Sequence, residues 1–225
     1  MPAPDLSILT SRGWLPNTPA EFRDALMAAG QEDSVDAGCL FNRAGETGHA
    51  LWGVVTGQIA VSSAMNGADA GPGILFNPGD WGGYMPLFGR VRPANCRAIT
   101  DVRLFQIGYP AIRRLLEDRP GWWEYLGLLA MMNGLAFATV AVDLLIPGSE
   151  RRLAATLLNL AGCRREGEPF ALHLSLTELG EMANLSRHPV ADILSTFESR
   201  NWVSRGYRTT RLVNVGALRQ LADGD

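Results

Sequence analysis

The sequence predicts an α+β protein in which an antiparallel β-domain precedes a long apolar helix and a C-terminal helix–turn–helix. Short β-type runs, separated by glycine and other turn residues, fill roughly eighty residues after Gly30 and are typical of a compact β-barrel or double-wound roll. The stretch from Tyr125 to Val142 carries no charged residue. The stretch Leu174–Trp202 divides into two short helical patterns around a tight connection.

Composition limits the possible classes of protein. A chain of 225 residues is long enough for one large or two modest domains. Its 47% hydrophobic and 19% charged residues are ordinary for a soluble globular protein. The net charge is −3, so the chain as a whole is not a polycation, and binding to a polyanion would depend on a local basic patch. All 20 basic residues are arginines, whose guanidinium groups suit bidentate contacts with guanine and phosphate.

The cysteines and the N-terminal sequence bear on metal sites and on localisation. Cys39, Cys96 and Cys163 are scattered and form no CxxC pair, so we expect neither an iron–sulfur cluster nor a zinc site. An odd, scattered cysteine count fits a reducing compartment. The first residues lack a basic segment followed by an apolar one, so no signal peptide is expected. The predicted localisation is cytoplasmic.

The N-terminal half is predicted from its breakers and its short apolar runs. Residues up to about Pro19 contain four prolines and few periodic positions, which predicts a poorly structured lead-in. Ala20–Gly30 has the spacing of an amphipathic helix. The predicted strands are Cys39–Phe41, Leu51–Val55, Ile59–Ser63, Ile74–Phe76, Cys96–Ala98 and Val102–Ile107.

Two helical patterns follow the strands. Tyr109-Pro110 opens the first, and Pro120 starts the longer second one at a position where proline is tolerated. About 20 apolar residues can span a bilayer, so Tyr125–Val142 raises the alternative of a membrane helix. The central Asn133-Gly134, the adjacent Asp143 and the lack of a flanking arginine cluster disfavour that alternative. We expect a helix covered by its own β-domain and by a partner helix.

The C-terminal part is predicted to be a winged helix–turn–helix. Pro147-Gly148-Ser149 ends the long helix, and Glu150–Ala161 is another amphipathic helix. Within Leu174–Trp202, one helix face is predicted from the spacing of Leu176, Leu179, Met182 and Ala183, and the second helix is predicted to bury Val190, Ile193, Leu194 and Phe197. The outward face of the second helix carries Arg187, His188, Ala191, Asp192 and Ser195. Val203–Val213 predicts a β-hairpin wing, and Asn214 caps a closing helix through Leu221.

An ordered set of motifs gives the chain a family resemblance. These motifs are GQIAV at Gly57–Val61, NPGDWGGYMPLF at Asn77–Phe88, and RLAATLLNLA followed by LTELGEMANLSRHPVADILSTFESRNWVS. From about Ala20 to Leu221 the chain resembles the cAMP receptor protein / fumarate–nitrate reductase regulator (Crp/Fnr) superfamily of transcription regulators. The resemblance implies a cyclic-nucleotide-binding-like β-roll (a double-stranded β-helix) over residues 20–118, a dimerisation helix over 119–146 and a winged helix–turn–helix over 147–221. It also implies a homodimer formed through that helix, with double-stranded DNA and RNA polymerase as partners.

The resemblance places an effector site in the β-roll, but its residues depart from those of cAMP-binding members. Tyr84 stands where those members carry a glutamate, and Arg92-Pro93-Ala94 replaces their Arg-Ser/Thr-Ala run. Phe137-Ala138 replaces hydroxyl side chains on the long helix. Each buried partner left unpaired costs about 1–3 kcal/mol, so we predict that cAMP is not a tight ligand. The candidate effector-binding residues are Gly83, Tyr84, Arg92 and Phe137.

Three alternatives remain for the β-roll. In the first, Tyr84 and Phe137 of the chain itself fill the pocket. In the second, the pocket binds a different and more apolar effector, and in the third it binds haem. Some relatives hold haem through an N-terminal proline and a histidine in this loop; here Pro2 is present, but Met85 is the nearest loop residue. His49 stands alone in the β-domain. We therefore expect no cofactor, with haem left open.

The residues carried over for DNA recognition lie on both helices and near the wing. Arg187 matches the family arginine that donates to guanine O6 and N7, and Ser186 and Ser175 occupy N-cap positions suited to phosphate contact. His188-Pro189 and Asp192 depart from the family pattern, so we predict an unfamiliar operator. Four arginines near the wing either contact the DNA backbone or are ordinary surface charges: Arg200, Arg205, Arg208 and Arg211. The predicted DNA-binding set is Ser175, Ser186, Arg187, His188, Asp192, Arg200 and Arg208.

Two other classes of function compete with transcription regulation. An enzyme is disfavoured because the sequence has neither clustered histidines with a carboxylate, nor a nucleophile–base pair, nor a GxxxxGK phosphate loop. The other class is a haem or small-molecule sensor of the same fold with altered or weak DNA binding.

Overall fold

The computed structural model describes residues 6–48, 50–63 and 73–224, which form two compact units. The first unit comprises Met1–Ala68 with Phe76–Leu135, and the second comprises Asp69–Leu75 with Ala136–Asp225.

The segment before Pro19 is folded from residue 6 onward, so the prediction of a poorly structured lead-in was wrong. Helix α1 (Ser7–Ser11) and a 3-10 turn (Leu15–Asn17) occupy it. Leu9, Trp14 and Leu15 are buried, and Trp14 Nε1 donates a hydrogen bond of 2.7 Å to the carbonyl of Tyr125. Contacts with residues more than a hundred positions away order this segment, and no local periodicity encodes them.

The described residues between 31 and 108 form eight strands in two four-stranded sheets. The strands are β1 (Gln31–Val35), β2 (Leu40–Asn42), β3 (Ala50–Thr56), β4 (Ile59–Ser63), β5 (Ile74–Phe76), β6 (Trp81–Gly82), β7 (Ala94–Ala98) and β8 (Val102–Gly108). The sheet orders are β1-β8-β3-β6 and β2-β7-β4-β5. All six predicted strands are present to within about two residues at either end. The pairings recorded for β1, β2, β3, β4, β6, β7 and β8 are antiparallel.

Strands β1 and β6 were missed by the sequence analysis. Strand β1 reads QEDSV and its first four residues are exposed, so it shows no alternation of apolar and polar residues. It is defined by its antiparallel register with β8, which runs from Gln31 opposite Gln106 to Val35 opposite Val102. Strand β6 has only two residues. Both strands are therefore recognised only by their pairing with a neighbouring strand, because neither has the sequence pattern of a strand.

Helices close the first unit around an aromatic core. Helix α2 (Ala20–Ala28) lies within the predicted range, and α3 (Tyr109–Asp118) begins at the predicted Tyr109-Pro110. The Trp14 ring meets those of Phe22 and Trp81 edge-on at centroid distances of 5.8 and 5.6 Å. Such edge-to-face pairs are favoured by the ring quadrupoles.

The long helix α4 (Trp123–Asp143) follows a 3-10 turn at Pro120–Trp122. By length and composition alone, Pro120–Asp143 could cross a membrane, and 11% of its most apolar window is buried. Leu126 and Leu129 pack into the core of the first unit. Met131, by contrast, is 56% exposed, and Leu135 and Val142 are also exposed. One side of α4 is therefore covered, and apolar side chains remain uncovered elsewhere on it.

The second unit contains the predicted winged helix–turn–helix. Its elements are the end of α4, α5 (Ser149–Leu160), α6 (Leu176–Ala183), α7 (Arg187–Ser199), β9 (Val203–Gly206), β10 (Thr209–Leu212) and α8 (Val215–Asp223). Strands β9 and β10 pair antiparallel, which confirms the hairpin. Asn214 Oδ1 accepts from the amide of Ala217, so the predicted cap of the last helix is also confirmed. Helix α8 runs two residues past the predicted Leu221.

Candidate functional site

Helix α6 begins with a capping box that fixes Ser175. The hydroxyl of Ser175 accepts from the amide of Glu178 at 3.2 Å, and the Ser175 amide donates to Glu178 Oε2 at 2.7 Å. These two bonds satisfy amide groups that the first turn of a helix leaves free. Ser175 is therefore an N-cap residue, as predicted, and its hydroxyl has an internal partner.

The turn between α6 and α7 depends on a glycine and a left-handed residue. Asn184 has φ of 51° and ends α6, and the Leu185 amide donates to the Gly180 carbonyl at 2.8 Å. A Cβ at Gly180 would lie 2.5 Å from the carbonyl oxygen of Leu185. Only glycine at this position lets the two helices of the motif close so tightly.

Helix α7 starts after Ser186, but the side chain of Ser186 makes no capping bond. An N-cap hydroxyl usually accepts from the second or third amide of its helix. The third residue of α7 is Pro189, which has no amide hydrogen. Ser186 thus occupies the predicted N-cap position, but the expected cap is absent.

The outer face of α7 presents the predicted reading residues. The buried residues of this helix are Val190, Ile193, Leu194 and Phe197, as predicted. Arg187, His188 and Asp192 are exposed. Within the described ranges, the side chain of Arg187 has no ion-pair partner and makes no hydrogen bond, and Asp192 of the same helix does not bind it. The guanidinium of Arg187 is free to bind an external acceptor.

Two ion pairs attach the wing to the helices; we refer to them as the wing ion pairs. Arg205 donates to Glu198 Oε2 through Nε at 2.8 Å and through Nη2 at 2.6 Å. Arg208 Nη2 donates to Glu178 Oε2 at 3.0 Å. The pairing with Arg205 lowers the pKa of Glu198. Hydrogen bonds within the DNA-binding motif thus hold two of the predicted wing arginines.

The predicted residue Arg200 has a different environment, just before the hairpin. Its guanidinium lies 5.0 Å from the ring centroid of Trp202, a cation–π contact at an exposed position. This contact restrains the side chain and leaves the edges of the guanidinium available for hydrogen bonds.

A groove of about 570 Å³ collects several of these residues within the second unit. It is lined by Leu174–Leu176, Arg187, Glu198 and Arg205–Thr210. The structure therefore brings together Ser175, Arg187 and Arg208, which are widely separated in sequence. His188, Asp192 and Arg200 are not among the lining residues.

In the first unit, Arg92 is a buried cation with internal partners. Its side chain is within 3.8 Å of Glu46, and its guanidinium packs so closely on Gly48 that a Cβ there would lie 2.4 Å from Nη2. Arg92 also lies close to Tyr109, whose hydroxyl donates to the carbonyl of Gly83. Burial raises the pKa of Tyr109.

The structure thus links Arg92 to Gly83 through Tyr109, a residue that the sequence analysis did not single out. Tyr109 precedes a proline and opens α3, so its sequence context indicated only a helix start. Glu46 lies between β2 and β3, where its sequence context gave no indication of a partner. Gly83 has φ of 87°, and a Cβ there would lie 2.5 Å from the carbonyl of Ala50. The glycine is therefore required by the backbone.

Tyr84 is half-buried beside helix α4. Its hydroxyl lies close to the side chain of Asn133, whose Nδ2 donates to the carbonyl of Trp81 at 3.0 Å. Burial raises the pKa of Tyr84. Phe137, the fourth candidate, lies on α4 and is 44% exposed. Pro2 and His49, which were weighed for haem binding, lie outside the described residues.

A β-roll, a long helix and a winged helix–turn–helix with an exposed arginine on its second helix define a DNA-binding transcription regulator. Residues 32–119 match the cyclic nucleotide-binding domain, and residues 151–221 match the Crp-like helix–turn–helix domain. The chain belongs to the Crp/Fnr family of transcription regulators. This finding confirms the predicted family and fold class, and the family is not a class of enzymes.

Relatives of known function and structure agree with this assignment. The cAMP-activated global transcriptional regulator CRP of Escherichia coli O6:H1 is 27% identical over 172 residues, covering 73% of this chain and 81% of that protein. A CRP/FNR-family transcriptional regulator from Thermus thermophilus, TTHA1359, has a TM-score of 0.62 and 23% identity, covering 86% of this chain and 98% of its own. The c-di-GMP responsive global regulator CLP of Xanthomonas campestris has a TM-score of 0.63 and 20% identity, covering 86% and 99%. The last two likenesses show the fold alone.

Proposed function

We propose that this regulator acts in the cytoplasm as a homodimer on a palindromic operator. The observation that carries the proposal is the free, exposed guanidinium of Arg187 at the start of α7, beside a groove lined also by Ser175 and Arg208. An arginine in that position suits bidentate contact with guanine, and the serine and the second arginine suit phosphate. His188 and Asp192 differ from the family pattern, so the operator sequence of this regulator differs from the familiar ones.

The apolar side chains of α4 support dimerisation through residues 119–146. Met131, Leu135 and Val142 are exposed on a helix without charge from Tyr125 to Val142. Covering such a surface with the same helix of a second copy removes apolar area from water. The domain limits proposed from the sequence are 20–118 for the β-roll and 147–221 for the DNA-binding domain. RNA polymerase is the proposed protein partner.

The effector, where one is used, is proposed to be a ligand other than cAMP, and constitutive DNA binding is the second possibility. Arg92 already contacts Glu46 and Tyr109, and Pro93 offers neither a hydroxyl nor an amide to a phosphate. Gly83, Tyr84, Arg92 and Phe137 remain the proposed effector-binding residues. No cofactor is proposed; an absorbance scan of the purified protein would detect haem directly.

The test begins with the oligomeric state and continues with DNA. Sedimentation should give a dimer, and selection from a random duplex library should enrich palindromes with half-sites about 10 bp apart. Gel shifts at fixed salt, with and without cAMP, should give the same affinity. A confirmed dimer that enriches no palindrome contradicts the operator, and a large gain in affinity with cAMP contradicts the proposed effector class.

A further inference from the structure

The wing carries a fully exposed aromatic residue at its tip. Tyr207 follows β9 and precedes β10, and it is 93% exposed. Its neighbour Arg208 has φ of 48°, a left-handed conformation that turns the chain back into β10. The hydroxyl of Thr209 donates to the carbonyl of Tyr207 at 3.2 Å, which closes the turn. The tip is therefore ordered while its largest side chain stays uncovered.

The wing ion pairs hold this tip against both helices of the motif. On one side of Tyr207, Arg205 uses its backbone amide, at 3.1 Å, as well as its guanidinium to bind Glu198 of α7. On the other side, Arg208 binds Glu178, which also caps α6. A side chain mounted on such a fixed hairpin loses little conformational freedom when it binds a partner.

The position of Tyr207 relates it to DNA. It lines the same groove as Ser175 and Arg187, so a backbone strand whose phosphate contacts Ser175 passes beside the phenol ring. A tyrosine hydroxyl is a common donor to phosphate oxygen, and the ring offers apolar surface to deoxyribose. Arg205 donates three hydrogen bonds to Glu198. Fewer of its N–H groups are therefore available to bind phosphate.

We propose that Tyr207 is a DNA-backbone contact of the wing and that Glu198, by fixing Arg205, is the residue that positions it. This inference rests on the proposed binding of duplex DNA. Because the contact is to the backbone, it adds affinity for every sequence equally. Because the phenol is neutral, it releases no counterion and leaves the salt dependence of binding unchanged.

The test uses the full-length protein and two duplexes of equal length, one carrying the operator selected by the wild type and one scrambled. Y207F should weaken binding to both duplexes about fivefold for each bound subunit of the dimer, since a hydrogen bond contributes about 1 kcal/mol. Y207A should weaken it further, to about tenfold, with the slope of log affinity against log salt unchanged. V213A, which alters an exposed residue outside the groove, should bind like the wild type.

A double-mutant cycle tests the role of Glu198. Because E198Q also removes a negative charge from the groove, its effect is measured as a coupling: E198Q should bind less tightly relative to the wild type than E198Q/Y207A binds relative to Y207A. If Y207A binds both duplexes with wild-type affinity, Tyr207 does not contact DNA. The exposed ring would then be a contact for a protein partner. A loss confined to the operator would overturn the backbone assignment, and strict additivity would overturn the positioning role. If the wild type binds neither duplex, the proposed operator binding fails as well.

Discussion

Asp143 and Arg164 form a bidentate ion pair in the second unit. The distances are 2.8 Å from Nε to Oδ2 and 3.2 Å from Nη2 to Oδ1, and Asn159 donates a third hydrogen bond to Oδ2 at 2.8 Å. Asp143 is buried and ends α4, where a carboxylate opposes the helix dipole unless a cation compensates it. Arg164 therefore neutralises a charge that the end of the long helix would otherwise bury alone.

Removing this arginine should destabilise the protein. Arg164→Ala leaves the buried carboxylate of Asp143 without its cation, and the free energy of unfolding should fall by roughly 3 kcal/mol. Chemical denaturation measures this loss. Asp223→Asn is the control, because Asp223 binds the same arginine from a side chain that is 51% exposed. It should cost at most about 1 kcal/mol, and equal losses in the two variants would contradict the assigned role of burial.

Arg187→Ala should weaken operator binding by about 1–3 kcal/mol and relax selection at one base pair per half-site. The reason is the loss of two donors to guanine from a side chain that has no internal partner. Binding assays on operators altered one base pair at a time measure both effects. Arg187→Lys is the matched variant: it keeps the charge and should keep non-specific binding while losing base discrimination. Unchanged operator affinity in Arg187→Ala would show that another residue reads the base.

Gly83→Ala should destabilise the first unit more than Gly89→Ala does. Both glycines have positive φ, 87° and 70°, so both substitutions incur backbone strain of roughly 1 kcal/mol or more. At Gly83 the new Cβ would also lie 2.5 Å from the Ala50 carbonyl, whereas at Gly89 it meets no atom within 4 Å. Thermal unfolding of the two variants compares them directly. Equal losses would mean that the close approach to Ala50 is relieved at no cost.

Asp80 should give the protein a distinct pH dependence. Burial raises the pKa of Asp80 from 3.8 to about 6, so the folded state holds a proton that the unfolded state has already released between these values. The contribution of this carboxyl is therefore most favourable below pH 4 and is lost as the pH rises through 6. The difference in free energy of unfolding between the wild type and Asp80→Asn should fall over that interval by at most about 1.4 kcal/mol per pH unit. A difference that rises or stays flat contradicts the raised pKa.

Met131→Glu should convert the proposed dimer to a monomer without unfolding it. The side chain of Met131 is exposed within the chain, so the new carboxylate meets no core residue of its own subunit. In a helix pair it would be desolvated beside its symmetry mate, which is unfavourable for two like charges. Sedimentation gives the oligomeric state, and circular dichroism checks the fold. Met131→Leu is the apolar control, and a dimeric Met131→Glu variant would place the interface elsewhere.

The sequence by itself predicts those elements whose stability depends on nearby residues. The spacing of Leu179, Met182 and Ala183, the cap at Ser175 and the break at Asn184-Leu185 locate the helix–turn–helix correctly. Each of these signals lies within one or two helical turns. The six predicted strands and the closing helix are correct for the same reason, because alternation and capping are local properties.

The tertiary structure alone decides which distant groups meet. Trp14 is ordered by Tyr125, β1 by β8, and Gly83 joins Arg92 through Tyr109. The sequence also did not show which arginines are paired, because nothing around Arg208 indicates that it meets Glu178, thirty residues away. An ion pair depends on distance in space and on burial, and the fold sets both. The sequence therefore determined that this chain has the motif for binding DNA, and the structure decided which side chains of that motif remain available for it.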